Sequence, residues 1–218
     1  WFTTHFDFHA IHDNVLKLDL LGHVDPIALK FLENITGIKP TEIPLNDMVV
    51  DSIFGSREAL KCSSNYMNET TGALGLPEFG TALTRQMLEE IRPKTFADLV
   101  LISGLSHGTD VWAGNAQDLL RNKICGVDGI IACRDDVMIY LIAHGVNNSV
   151  AFKTMESVRK GKKIPKEYME EIVKCGVPEY YIESANMCKY LFPKAHAIAY
   201  VTMGVRIAWF KVHKPLAY

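Results

Sequence analysis

Apolar positions along most of this chain recur at intervals of three and four residues, and that period predicts a helical protein. The helical pattern begins near residue 25. Asp25 followed by Pro26 reads as the N-cap and first residue of a helix to about Asn34, stopped near Gly37. A loop holding Pro40 and Pro44 follows, then short helices near 47–54 and 56–61, the second capped by Ser56. Over 81–92, Leu83, Met87, Leu88 and Ile91 share one helix face, and Thr95 caps a helix to about Gly104. Further helices are predicted near 115–122, 134–144, 149–160, 166–175, 178–191 and 194–212. Between them, Gly72 to Gly80 reads as an ordered loop shaped by glycine, and Trp112 anchors a polar turn that starts at Ser106.

The first 24 residues break this period. Residues 1–8 are aromatic and β-branched, which suits a strand, and residues 15–21 read as a second strand after a short polar connection. The expected fold is therefore mainly α, with a short antiparallel β-pair at the N-terminus followed by a multi-helix domain. Asp19 stands alone between Leu18 and Leu20, and a buried carboxylate needs a partner. A divalent ion is one such partner, because Mg²⁺ is held by carboxylates beside phosphates. The other reading leaves Asp19 in water at the strand end or capping the next turn.

Composition narrows the class. The 218 residues are 48% hydrophobic and 22% charged, as in an ordinary folded domain, and no apolar run approaches the roughly 18 residues of a membrane span. Five cysteines without a CxxC pair argue against a disulfide framework, so a cytoplasmic location and no membrane partner are expected. The chain starts at Trp1 rather than Met and stops just after a long apolar helix pattern, so it is expected to be a piece of a longer protein. The net charge of −2 conceals a split. Residues 1–150 carry −8 and residues 151–218 carry +6, so the second part suits a polyanion partner.

Candidate anion ligands sit in three places. Arg159, Lys160 and Lys162 surround Gly161 in a turn between two helices, where cations can wrap phosphate oxygens or simply remain solvated. Pro193 opens a helix whose first turns carry Lys194, His196 and Tyr200, and free N–H groups there favour anions. Arg134 opens another helix against its dipole and so answers to an anion or to Asp135 or Asp136. A small-residue stripe, Ala197, Gly204 and Ala208, reads more simply as helix packing. His5, Asp7, His9 and His12 form a separate set that could ligate a metal as in a hydrolase, or merely line a polar strand face.

Several of these motifs occur together in one order. Thr3-Thr4-His5-Phe6-Asp7-Phe8-His9 through Leu18-Asp19-Leu20-Leu21-Gly22-His23, then Gly75-Leu76-Pro77-Glu78-Phe79-Gly80, Ser103-Gly104-Leu105-Ser106-His107-Gly108-Thr109-Asp110, Cys133-Arg134-Asp135-Asp136, Val158-Arg159-Lys160-Gly161-Lys162 and Phe192-Pro193-Lys194-Ala195-His196 resemble PolC-type bacterial DNA polymerase III alpha subunits. The resemblance covers essentially the whole chain. It implies that residues 1–24 are the C-terminal edge of a polymerase palm and 25–218 a helical fingers domain. It also implies that Asp19 is the third catalytic carboxylate and a metal ligand. Nucleotide or DNA contacts are implied for Arg134, Arg159, Lys160, Lys162, Lys194, His196, Tyr200 and Arg206.

The implied reaction adds dNMP to a primer 3′ end with two Mg²⁺ ions, Mn²⁺ being possible. The implied partners are primer-template DNA, the incoming dNTP, the missing palm and other domains, and replisome subunits such as the sliding clamp through parts not in these residues. The family's Asp-x-Asp pair is absent from the 218 residues, so the isolated chain is expected to be inactive. The alternatives are a non-catalytic helical nucleic-acid-binding module and a metal-dependent hydrolase built on the N-terminal His/Asp segment.

Overall fold

The computed structural model describes residues 2–3, 5–11, 13–16, 23–62 and 68–218. Among them the chain is helical: α1 (Phe8–Ile11), α2 (Val24–Thr36), α3 (Met48–Ser52), α4 (Ala82–Ile91), α5 (Phe96–His107), α6 (Gln117–Arg121), α7 (Arg134–Ala143), α8 (Asn148–Val158), α9 (Lys166–Lys174), α10 (Glu179–Met187) and α11 (Lys194–His213). Local chemistry sets most of the boundaries. Asp47 caps α3 by accepting from the Val49 and Val50 N–H groups, and Gly37 ends α2 in the left-handed region at φ 73°. Thr95 and Asp98 form a capping box at the start of α5.

The expected N-terminal β-pair is not found. No strand occurs among the described residues, and the first stretch instead closes a helical turn at α1, with Ala10 N–H donating to Asp7 O at 3.0 Å. Aromatic and β-branched residues favour strands because they pack well on a pleated, half-buried sheet. Without a partner strand here, the backbone satisfies its polar groups locally. The second expected strand, 15–21, falls mainly on residues 17–21, which lie outside the described residues, as does Asp19. Two other boundaries differ. Asp25 lies in the first turn of α2 rather than capping it, since the helix opens one residue after His23. The helix expected over 178–191 stops at Met187, because residues 188–193 are drawn into backbone pairing with other segments ahead of Pro193.

The long helix α11 organises the packing. It lies against α5, α2 and α3, while α7 packs on α8 and α4 on α5. Ala197, Val201, Val205, Ala208 and Phe210 of α11 are buried. The small-residue stripe is a packing device, for Gly204 faces the Phe79 ring and the Pro77 carbonyl. The 72–80 loop is ordered, as its sequence predicts. Ala73, Leu76 and Phe79 are buried, Phe79 meets Phe54 edge-on at 5.0 Å, and Lys211 Nζ donates to the Gly72 and Leu74 carbonyls. Burial lowers the Lys211 pKa, so this ammonium is a loop clamp rather than a free cation.

Two features of this core carry predictions. A Cβ on Gly104 of α5 would come within 2.5 Å of Cys133 Sγ and 2.8 Å of the Ala132 carbonyl, so Gly104→Val should destabilise by about 1–3 kcal/mol. Urea unfolding of the chain measures it. Glu78 is half-buried near Asp25, with His107 Nε2 at 3.5 Å, and its partial burial raises its pKa despite the nearby His107. The folded state therefore holds this proton more tightly, and this group's contribution falls as pH rises above its unfolded pKa of about 4.3. Glu78→Gln should raise the urea midpoint at pH 7 and narrow its gain to nothing near pH 4.

Candidate nucleotide and nucleic-acid interface

The predicted anion ligands lie far apart in sequence, and one extended segment gathers several of them. Residues 188–193 link α10 to α11 and pair with two other loops in passing. Tyr190 bridges Thr109 antiparallel, and Phe192 bridges Cys133 in parallel, with Arg134 N–H donating to Phe192 O at 3.0 Å. Earlier on the segment, the Lys189 backbone lies against the 159–163 turn. A Cβ on Gly161 would fall 2.5 Å from the Lys189 carbonyl, and Gly161 holds φ 72°. Asn186 Oδ1, just before the segment, accepts from Ile164 N–H at 2.8 Å and pins the far side of that turn. The basic turn, Arg134 and the start of α11 are thereby strung along one short spine.

At the α11 end the cations are already paired. Lys194 Nζ donates to Asp136 Oδ1 at 2.8 Å, and the Lys194 backbone N–H donates to Asp135 Oδ2 at 2.8 Å. The other Asp136 oxygen accepts from the Cys133 N–H at 2.7 Å, closing the start of α7. Burial works against the Lys194 charge, but the Asp136 contact outweighs it, and the Lys194 pKa is raised. Arg134 meets Asp135 only loosely, with Nε 4.0 Å from Oδ2. Of the two partners foreseen for Arg134, a carboxylate is present. Cys133 is buried, and that burial pushes its thiol up to about 12.

The basic turn is charged differently. Arg159 grips Glu156 through two nitrogens, and Lys160 Nζ lies 3.2 Å from the same carboxylate. The Arg159 guanidinium holds the Glu156 carboxyl at about 2, so this acid stays ionised at any working pH. Two cations thus share one anion. Lys162 and Lys163 are exposed and make no ion pair among the described residues, and neither does exposed Lys189. Lys189 was not singled out by the sequence reading. A lone lysine beyond a helix carries no pattern, and only its contact with the Gly161 turn places it with the others.

Tyr200 and His196 are drawn into a ring cluster. His107 stacks on Phe192 at 4.6 Å, His196 meets Phe192 at 5.1 Å and Tyr200 at 4.6 Å, and the Tyr200 hydroxyl lies 2.8 Å from His23 Nε2. His23 and His107 stand in the family motifs of the sequence but carry no role there. They come from segments 177 and about 90 residues away from Tyr200, with no local spacing to mark them. His196 is exposed at the outer side of this cluster. The Tyr200 hydroxyl is committed to the residue just ahead of α2. Arg206 stands apart. Twelve residues beyond Lys194, it is turned about 120° around α11 from it, and its buried Nε has no partner among the described residues.

Among the described residues no three His, Cys, Asp or Glu side chains are placed to hold an ion together. Of the alternative set His5, Asp7, His9 and His12, His12 and the side chain of His9 lie outside the described residues. No helix among the described residues is long and apolar enough to cross a membrane. What the geometry offers is an uneven strip of cations, braced by backbone pairing and bordered by exposed aromatic and imidazole rings.

Comparison with known proteins agrees with the sequence motifs. The family model of the bacterial DNA polymerase III alpha subunit finger domain matches residues 26–177. The chain is 57% identical over 216 residues to a DNA polymerase III PolC-type of Listeria innocua, covering 99% of this chain and 15% of that protein. It is 56% identical over 218 residues to the PolC-type enzyme of Bacillus subtilis and 55% identical to that of Oceanobacillus iheyensis, in each case across 100% of this chain and 15% of the relative. The chain thus spans a small part of the length of the relatives it matches. With the family model covering most of its residues and these identities running from end to end, the chain belongs to the bacterial DNA polymerase III alpha subunit finger family.

Proposed function

We propose that this chain is the fingers region and adjoining palm edge of a cytoplasmic replicative DNA polymerase, residues 25–218 and 1–24 respectively. The reading rests on identity of 55–57% along the whole chain to PolC-type DNA polymerase III. The parent reaction joins a dNMP to a primer 3′ end and releases pyrophosphate. Two divalent ions, Mg²⁺ or Mn²⁺, supply charge neutralisation to that transfer when bound. Their donors would be Asp19 and carboxylates of the parent polypeptide beyond these 218 residues. The sliding clamp would be met through other parts of that polypeptide.

The contribution of this chain is positioning and charge. Phosphoryl transfer gains most from preorganised cations around the triphosphate. Lys162, Lys163 and Lys189 bring unpaired charge to one corner, and Arg159 and Lys160 exceed their shared Glu156 by one. Lys194 and Arg134 are balanced by Asp136 and Asp135, and a phosphate would compete for them rather than find them free. A Lys held by a carboxylate keeps its place and its charge until a stronger anion arrives. His196, with its ring exposed, is the member of the cluster able to touch a base or ribose directly.

Two measurements on the full-length polymerase test this. Asp19→Asn should lower turnover at least a thousandfold in primer extension while leaving DNA affinity within about twofold. Unchanged turnover would refute the catalytic role of Asp19. Lys160→Ala and Lys162→Ala should weaken primer-template binding across sequences and flatten the dependence of log K on log salt by about one unit per lost phosphate contact. An unaltered salt slope in both would remove the basic turn from the interface.

A further inference from the structure

Helix α2 carries two apolar faces, and only one is covered. Leu29 and Leu32 are buried, and α11 packs against this helix. Around the helix from them, Val24, Ile27, Phe31 and Ile35 recur at spacings of three and four and are 74%, 72%, 60% and 50% exposed. Such spacing places all four on one stripe about 80° wide. A surface helix normally turns charged residues to water, and a contiguous apolar strip of a few hundred Å² marks a contact surface. Ile27 and Phe31 also line a shallow recess with Pro26, Lys30 and Asn34.

Three observations indicate what covers it. The finger family match starts at residue 26, whereas identity to the full-length relatives extends across the residues before it. Helix α2 therefore stands where the finger region meets the preceding part of a much longer polypeptide. The residues leading to α2 expose further large apolar side chains, Phe2, Phe6, Val15 and Leu16, in the same part of the chain. The strip is also only four large apolar side chains long. A stable complex between free partners buries about 800 Å² on each side, but a tethered neighbour needs less because the linkage supplies a high effective concentration. Lys30 is paired with Glu33, which leaves the strip without the surplus basic charge of a lipid-binding helix.

We infer that the Val24, Ile27, Phe31 and Ile35 face of α2 is an intramolecular docking surface, covered in the full-length polypeptide by an apolar surface of the part that precedes residue 1. It is independent of any catalytic step, so it stands or falls separately from the polymerase reading. The contact would fix the angle at which the finger region leaves the preceding domain.

The test is maleimide labelling of Phe31→Cys in the full-length protein, with the labelled peptide quantified by mass spectrometry. Labelling should be at least tenfold slower than in the 218-residue chain and independent of protein concentration. Equal rates overturn the inference, and so does protection that disappears on dilution, which would assign the face to a second copy. A second variant guards against disturbance by the label itself. Ile27→Glu with Phe31→Glu should leave the urea midpoint of the 218-residue chain unchanged and raise proteolytic cleavage just ahead of α2 several-fold in the full-length protein. No change in cleavage would also count against it.

Discussion

The six residues between α10 and α11 hold this structure's candidate cationic surface together. Cys188 and Leu191 are buried, so the segment is anchored from within, while its backbone pairs with Thr109 on one side and with Cys133 and Arg134 on the other. Gly161 admits the basic turn against Lys189 because it has no Cβ. Remove this extended link and Arg159, Lys160 and Lys162 have no fixed relation to Arg134, Lys194 or His196. Isolated bridges of one or two hydrogen bonds contribute modestly each. Their effect here is geometric, since they set the distances between charges that come from different helices.

The charge pattern along this link follows from the same arrangement. Where the chain is partly buried, at Lys194, a carboxylate accompanies the cation, as the cost of an uncompensated charge demands. Where the turn projects into water, lysines go unpaired at little cost. The surface is thus graded from balanced at the α11 start to positive at the 159–163 turn. Incoming phosphate would be drawn first to the unpaired end by long-range attraction. The ring cluster of His107, Phe192, His196 and Tyr200 borders the balanced end, and its hydrogen bond to His23 joins it to the chain segment that leads back toward Asp19.

Much of this was legible in the sequence where the information is local. The capping of α5 by Thr95 and the glycine loop at 72–80 follow from residue type and spacing, and so does the basic turn. The N-terminal β-pair was misread because strand propensity reports a fit to neighbours the sequence does not specify. The overlong helix at 178–191 failed for the opposite reason, since distant backbone partners at Thr109 and Cys133 captured its last residues. Lys189 is missing from the sequence motifs, and His23, His107 and Glu78 stand in them without a role, because each acquires its role only through a contact more than 20 residues away. Arg206 shows the reverse. Helical periodicity alone separates it from Lys194, so its inclusion with the others followed from resemblance rather than from geometry.

The central claim, that the 188–193 link holds the cations in a working arrangement, is tested most directly by a substitution that removes no charge. Gly161→Val in the full-length protein would place a bulky side chain against the Lys189 carbonyl and force the basic turn away from it. Primer-template affinity measured across salt concentration should fall, with a shallower salt dependence, while circular dichroism shows the helices intact. Wild-type affinity and salt slope in a variant with that turn displaced would contradict the account.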